Sequence, residues 1–426
     1  MRRPRPAPPE TLELDIEKLG TEGTGLARIA GRVVLVPDAL PGERVRVRVE
    51  AGKARLLERL SDSPDRVAPP CRHFGVCGGC VLQHLAPAPY AAFKRGLVLD
   101  ALSRQGLGQV PVAEALISPP GSRRRATLEA RRVGTKIVLG FHGRASHQII
   151  DLEQCPVLVP ALAALLLPLR TLLIGLLEPG RSASIILANV ETGIDLGLDL
   201  PAEPKLPALE ALSDFARQHD LARLWWRAEG AAPTLIAQNR PIRTRFGVVE
   251  ADLPPGVFRQ ATAEGEAALI ACVGQAIGDM RRIADLFAGT GTFTLALAGR
   301  GSVHAVESDV EALGALAAAS RRAQLVQVTA ERRDLDARPL LPDELAAYDA
   351  VVFDPPRAGA KAQAEQLAHS AVPVIVGVSC NPASFARDAA ILVAGGYVLE
   401  LVQPIDQFLW SHHIELVGRF HRPRAS

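Results

Sequence analysis

From about Thr262 the chain alternates short apolar runs with helical stretches, and this alternation restricts the possible folds more than any other feature. Ile283–Phe287, Ser302–Glu307, Ala350–Asp354 and Pro373–Ser379 read as buried strands, with helices such as Asp309–Arg321 and Ala383–Ala394 between them. Parallel strands need long crossovers, and helices supply them. The pattern therefore predicts an α/β domain with a doubly wound, mostly parallel, Rossmann-like sheet. Ligands of such sheets bind beyond the carboxyl ends of the strands, near the switch in strand order. The residues that follow each strand are the first place to look for chemistry.

The first strand runs into Asp285-Leu286-Phe287-Ala288-Gly289-Thr290-Gly291, and a helix opens at Thr292. Glycines there let the backbone turn tightly and approach a ligand. The next strand ends on Glu307, where a carboxylate can accept both hydroxyls of a ribose; an exposed strand-end carboxylate would also explain it. The turn lacks the G-x-G-x-x-G of the dinucleotide fingerprint, which favours S-adenosylmethionine (SAM) over a nicotinamide cofactor. The other two strands end in Asp354-Pro355-Pro356-Arg357 and in Ser379-Cys380-Asn381-Pro382.

Cys380, delivered at a strand end beside an acidic turn, reads as a nucleophile, and the Asn-Pro after it makes a turn rather than core. A free thiol titrates near pH 8.5, so a lowered pKa is expected, with the helix N-terminus after Pro382 as its source. The matching reaction is methylation of C5 of a pyrimidine, a carbon that is a poor nucleophile by itself. A thiolate added at C6 makes C5 enolate-like and able to attack a sulfonium methyl; a base then removes the C5 proton and the thiolate leaves. Glu415, within the apolar run Ile414-Glu415-Leu416-Val417, is the candidate base, because desolvation raises a carboxylate pKa. A solvent-facing place on an edge strand is its alternative. Asp354 could hydrogen-bond the uracil or SAM. Enzymes that methylate amino groups also use Asp-Pro-Pro, usually followed by an aromatic residue; Arg357 in that place argues for a carbon acceptor.

At 426 residues the chain exceeds a single core. Residues 1–10 read as a basic disordered arm, 11–60 as an OB-like β-barrel, 65–258 as a central α+β domain and 259–426 as the methyltransferase domain. Ser61–Pro70 has the composition of a linker. In Arg44-Val45-Arg46-Val47-Arg48-Val49 strict alternation sets three arginines on one face, suited either to solvent or to a phosphate backbone. A net charge of +2 means that any basic surface must be local. Arg123-Arg124-Arg125 is one candidate, as an RNA-facing segment or a solvated charge run. Pro160 and Pro168 interrupt the richest apolar stretch, so no membrane span is expected, and no secretory signal is evident. A cytoplasmic location follows, where six cysteines serve as ligands, nucleophiles or core rather than disulfides. Cys71, Cys77, Cys80 and the distant Cys155 could bind structural zinc or an iron–sulfur cluster, while Cys272 reads as core.

Together these residues resemble the RNA uracil-C5 methyltransferases, specifically the bacterial 23S ribosomal RNA branch that carries a TRAM barrel and a [4Fe-4S] cluster. The resemblance implies that Cys71, Cys77, Cys80 and Cys155 ligate the cluster, that Cys380 is the nucleophile and that Glu415 is the proton acceptor. It places SAM contacts on Gln260, Phe287, Glu307 and Asp354, with Gly289, Gly291, Thr292 and Asp334 completing the set. The implied product is 5-methyluridine in 23S ribosomal RNA, met while unassembled or poor in protein, with no obligate protein partner. Some positions depart from the pattern: Ala261-Thr262 follows Gln260 where asparagine is usual, Thr292 and Asp334 replace common asparagines, and Trp410-Ser411 replaces a His-Thr pair. A non-catalytic RNA-binding factor and an enzyme for transfer RNA are the rivals.

Overall fold

The computed structural model describes residues 9–50 and 53–423. Residues 1–8 of the expected basic arm lie outside that range, and Glu10 already opens a strand. Six strands form the N-terminal barrel: β1 (Glu10–Asp15), β2 (Lys18–Leu19), β3 (Gly25–Ile29), β4 (Arg32–Val36), β5 (Arg44–Glu50) and β6 (Lys53–Arg59). Two three-stranded sheets, β1-β5-β6 and β2-β3-β4, enclose Leu14, Ile16, Ala27, Val36, Val45 and Val47. The period-two pattern of β5 does what it should, burying Val45 and Val47. Its arginines are less free than their exposure suggests. Antiparallel register sets Arg46 opposite Glu13 on one side and Glu58 on the other, and Glu13 also pairs with Arg44 at 3.1 Å. Two of the three guanidinium groups are thus already matched by carboxylates, which weakens the case for a phosphate-binding face here.

The stretch expected to be a linker is fastened down. Arg66 makes a two-pronged pair, at 2.5 and 3.0 Å, with the fully buried carboxylate of Glu43 on the barrel. Beyond it, α1 (Pro87–Arg104) and β7 (Leu116–Ile117) leave the central region altogether. Val98, Ala101 and Leu102 of α1 share a core with Ala389, Tyr397 and Val402 near the C-terminus.

The central domain is built on β8 (Arg125–Val133), β9 (Lys136–Gly140), α2 (Pro160–Ala163), α3 (Leu166–Leu176), β10 (Ser182–Val190), β11 (Gly193–Asp199), α4 (Leu206–Gln218), β12 (Arg223–Arg227) and β13 (Thr234–Gln238). Its six-stranded sheet, in the order β13-β12-β11-β10-β8-β9, buries Leu128, Ile185 and Leu196 against Leu169 and Leu173 of α3. The hairpin β14 (Arg243–Phe246) and β15 (Val249–Asp252) leads to the last domain.

There α5 (Ala263–Ile277), β16 (Arg282–Leu286), α6 (Thr292–Leu297), β17 (Ser302–Glu307), α7 (Val310–Arg322), β18 (Val328–Arg332), α8 (Pro342–Leu345), β19 (Ala350–Phe353), α9 (Lys361–Ala368), β20 (Val374–Ser379), α10 (Pro382–Ala394), β21 (Val398–Asp406) and β22 (Glu415–His421) follow in turn. The expected alternation is present, and the sheet order is β18-β17-β16-β19-β20-β22-β21-β7. Strand order reverses between β16 and β19, which are parallel neighbours. β22 runs antiparallel to both β20 and β21, and β7 closes the edge in parallel with β21. Among the described residues no helix is long and apolar enough to cross a membrane.

Candidate active site

The direction of β22 decides the site. Because that strand is inserted antiparallel, its first residue lies at the edge where the parallel strands end. Register pairs Ser379 with Leu416, so one step further Cys380, leaving β20, comes opposite Glu415, opening β22. Two strand ends remote in sequence thus meet at the switch edge, where β16 and β19 deliver the glycine turn and Asp354.

A cavity of about 530 Å³ opens there, lined among others by Gln260, Phe287, Gly289, Thr292, Glu307, Asp334, Asp354, Cys380 and Glu415. That volume suits a nucleoside-sized ligand. Phe287 adopts a left-handed backbone (φ 61°) that side-chain-bearing residues rarely take. Gly291 is the one proposed contact that does not line the cavity. It caps α6 at φ 93°, and a Cβ there would stand 3.0 Å from Leu295 and Leu316. Its glycine serves helix packing, which a turn pattern in the sequence cannot distinguish from ligand approach.

Glu307 is held by its own turn. One oxygen accepts Gly289 N–H at 2.9 Å, and the other accepts the amides of Ser308 and Asp309. The carboxylate is therefore preoriented, with acceptor capacity left over for a hydroxyl. Asp285 lies fully buried beneath the turn, with one oxygen bonded to Thr294 Oγ1 at 2.6 Å and the other without a partner. Burial, reinforced by the Glu307 charge, pushes its pKa up to about 7.

The thiol departs from expectation. Burial first, and then the carboxylates of Glu415 and Asp354, push the Cys380 pKa up to about 11, while the Arg357 charge opposes them. The nearby helix N-terminus does not offset two acidic neighbours. Glu415, almost fully buried, is raised to about 8 by burial and by Asp354, with Arg125 and Arg357 opposing. Asp354 rises to about 7 for want of solvent and because of Asp285. Asp354, Cys380 and Glu415 thus form an acidic cluster at the cavity edge. A sulfonium has the charge that would draw all of these groups toward their ionised forms.

Arg123-Arg124-Arg125 is not a surface charge run. Arg124 is buried and paired with Glu266 at 2.6 Å, fastening the central domain to α5. Arg125 stacks over Phe258, 4.5 Å from its ring centre, and Phe258 lines the cavity while remaining 62% exposed. An exposed aromatic ring and a guanidinium plane at the mouth of a cavity offer a stacking surface for a flat base. Sequence reasoning missed this pair, although Phe258 stands two residues from Gln260. It also passed over Ser308 and Asp309, for which the cap of α7 was the available signal.

Cys71, Cys77, Cys80 and Cys155 lie within electrostatic reach of one another, and burial, the main cause, holds Cys80 up at about 12. Backbone amides point at the sulfurs: Gly79 N–H at Cys77, and those of Val157 and Leu158 at Cys155. Sulfur-directed amides suit thiolate ligands. Among the described residues no three His, Cys, Asp or Glu side chains are gathered tightly enough to hold a metal ion. Cys272, half-buried on α5, packs against the apolar layer of that helix.

Residues 9–58 match the TRAM domain, and residues 252–421 match the tRNA (uracil-5-)-methyltransferase family. An uncharacterized RNA methyltransferase of Brucella suis biovar 1 is 45% identical over 412 residues, spanning 96% of this chain and 97% of that one. The 23S rRNA (uracil(1939)-C(5))-methyltransferase RlmD of Chromohalobacter salexigens is 40% identical over 423 residues, spanning 94% of this chain and 87% of its own. Among solved structures, the Pyrococcus abyssi tRNA (uracil-54, C5)-methyltransferase bound to S-adenosyl-L-homocysteine superposes with a TM-score of 0.72. It covers 96% of this chain and 100% of that one at 23% identity, a likeness of fold.

Proposed function

We propose that this chain, which belongs to the RNA uracil-5-methyltransferase family, methylates C5 of a uridine in 23S ribosomal RNA through a covalent bond between Cys380 and C6 of the base. The observation that carries this reading is the meeting of Cys380 and Glu415 at one cavity edge, forced by the antiparallel β22. SAM, when bound, would supply an electrophilic methyl group on a sulfonium; Glu307, Gln260, Phe287, Thr292, Asp334 and Asp354, which line the cavity, would hold it. The Cys380 thiolate adds its electron pair to C6, and the C5–C6 π pair shifts toward C5 and the C4 carbonyl. C5 then carries the nucleophilic pair that takes the methyl. Glu415 removes the proton from C5, the C5–C6 double bond re-forms and the thiolate departs. Arg357, close to both groups, favours their ionised forms.

Both Cys380 and Glu415 must lose protons, and both pKa values lie above neutrality. The expected kcat/KM profile therefore rises from pH 6 to pH 9. A decline over that range would count against the assignment of roles.

The likeness to RlmD supports a 23S target, and the match to a TRAM domain supports an RNA partner. Purified protein with SAM should place one 5-methyluridine in unmodified 23S transcripts, located by mass mapping, and leave transfer RNA transcripts unmarked. Methylation of transfer RNA instead would change the substrate without changing the chemistry.

The proposed cluster is a [4Fe-4S] centre held by Cys71, Cys77, Cys80 and Cys155; its support is the mutual electrostatic reach of the four thiols and the backbone amides aimed at two of them, Cys77 and Cys155. None of the four cysteines lines the cavity, and methyl transfer consumes no electron, so the cluster would have a structural part. Cys77→Ser is expected to lose the brown absorbance of anaerobically purified protein and to melt at lower temperature. Colourless wild-type protein that contains zinc would overturn the cluster.

A further inference from the structure

The segment joining β21 to β22, residues 407–414, ends on the proposed base, and one remote lysine clasps both of its ends. Lys94 Nζ donates to Asp406 Oδ1 at 2.9 Å and to the carbonyl of His413, two residues before Glu415. Both charged side chains are 0% exposed. Tyr90, one turn earlier on the same face of α1, donates its hydroxyl to the other oxygen of Asp406 and accepts the Trp410 N–H at 2.7 Å. Trp410 is left-handed (φ 60°), a conformation that persists in a bulky residue only where its surroundings over-determine it. Its carbonyl is tied as well, by the amides of Val81 and Leu82 at 2.8 and 2.9 Å. Gln407, at the start of the segment, donates to Gln260 at 2.6 Å.

A buried ion pair is a poor way to gain stability, since apolar residues of the same size pack as well or better. What it supplies here is direction, because each donor on Lys94 fixes one end of the segment. We propose that Lys94, with Asp406 and Tyr90, is a positioning device for Glu415, holding the carboxylate where it can reach the proton on C5. The proposal rests on the assignment of Glu415 as base and Cys380 as nucleophile. Cys380 stands on a different strand, and Lys94 makes no hydrogen bond to it. Loosening the clasp should therefore slow proton removal while leaving thiolate attack and methyl transfer nearly intact. The reaction would halt as a methylated RNA–protein adduct.

Two variants test this, Tyr90→Phe and the charge-free pair Lys94→Met with Asp406→Asn, each with SAM and ordinary 23S transcript. Methyl transfer is read by rapid chemical quench, adduct release by denaturing gel, and folded fraction by thermal melting. Release should slow roughly 10- to 100-fold, the scale expected for a misplacement of about 1 Å, with methyl transfer within about threefold of wild type. If the double variant does not fold, Tyr90→Phe decides. Loss of both steps in proportion to folded protein, with no adduct, would reduce the clasp to a structural role and overturn the proposal. Glu415→Gln separates the two possible failures. Should it accumulate adduct while the clasp variants do not, the positioning proposal fails; should it accumulate none, the underlying assignment of the base fails.

Discussion

Cys380→Ala is expected to abolish methyl transfer, lowering kcat by about 10⁴-fold or more, because without the sulfur the carbon to be methylated never becomes nucleophilic. The loss should be chemical rather than structural. Cys380 is only partly buried and packs at the cavity edge, outside the apolar clusters beneath the sheet, so the melting temperature should move by no more than about 2 °C. SAM affinity should survive, since the side chains that would hold it stand at the ends of β16, β17, β18 and β19, at the start of α6 and in the loop before α5, not on β20. Single-turnover methylation, calorimetric titration with SAM and a melting curve on the same preparation check all three statements. Residual turnover within tenfold of wild type would remove the thiol from the mechanism.

Glu415→Gln should produce the complementary phenotype: turnover down by about 10²- to 10⁴-fold, with a methylated covalent complex accumulating because attack proceeds and release does not. It should also change stability in a way that depends on pH. Burial and Asp354 raise the carboxyl pKa from 4.5 to about 8, so between those values the native state keeps a proton that the unfolded chain has lost. Fewer protons on the unfolded state means that stability falls as pH rises. This contribution is whole below about pH 4.5 and gone above about pH 8. Glutamine, neutral and of the same shape, does not lose it. The variant should match wild type near pH 5 and melt at higher temperature near pH 8.5. Equal melting temperatures at both values would mean that Glu415 ionises without penalty and is not a buried base.

Residues next to one another in sequence were the legible part of this molecule. The alternation after Thr262 places β16, β17, β19 and β20 within a residue or so of their observed bounds, and the groups at their ends converge on one cavity. What escaped depends on partners remote in sequence. An antiparallel strand inserted between β20 and β21 cannot be read from Ile414–Val417, yet it is what brings Glu415 to Cys380. The same is true of α1, whose apolar residues look ready for a central domain but bury against the C-terminal sheet, and of β7, which pairs with β21 at the edge of that sheet. Cross-strand register neutralises Arg44 and Arg46, and burial against α5 turns Arg124 from a surface charge into a fastening. The thiol was misjudged for a related reason. A helix N-terminus is visible in sequence, whereas the burial that chiefly outweighs it, and the two carboxylates from other strands that add to it, depend on the assembled sheet.

The most direct measurement uses a 23S fragment with 5-fluorouridine at the target. Fluorine cannot leave as a proton, so once the methyl is delivered no base can finish the reaction and the adduct is trapped. After incubation with SAM, proteolysis and tandem mass spectrometry should find a fluoromethyluridine nucleotide bonded to the sulfur of the peptide containing Ser379-Cys380-Asn381, and nothing comparable from Cys380→Ala protein. A trapped nucleotide on any other side chain, or methylated RNA formed without a protein bond, would contradict the mechanism.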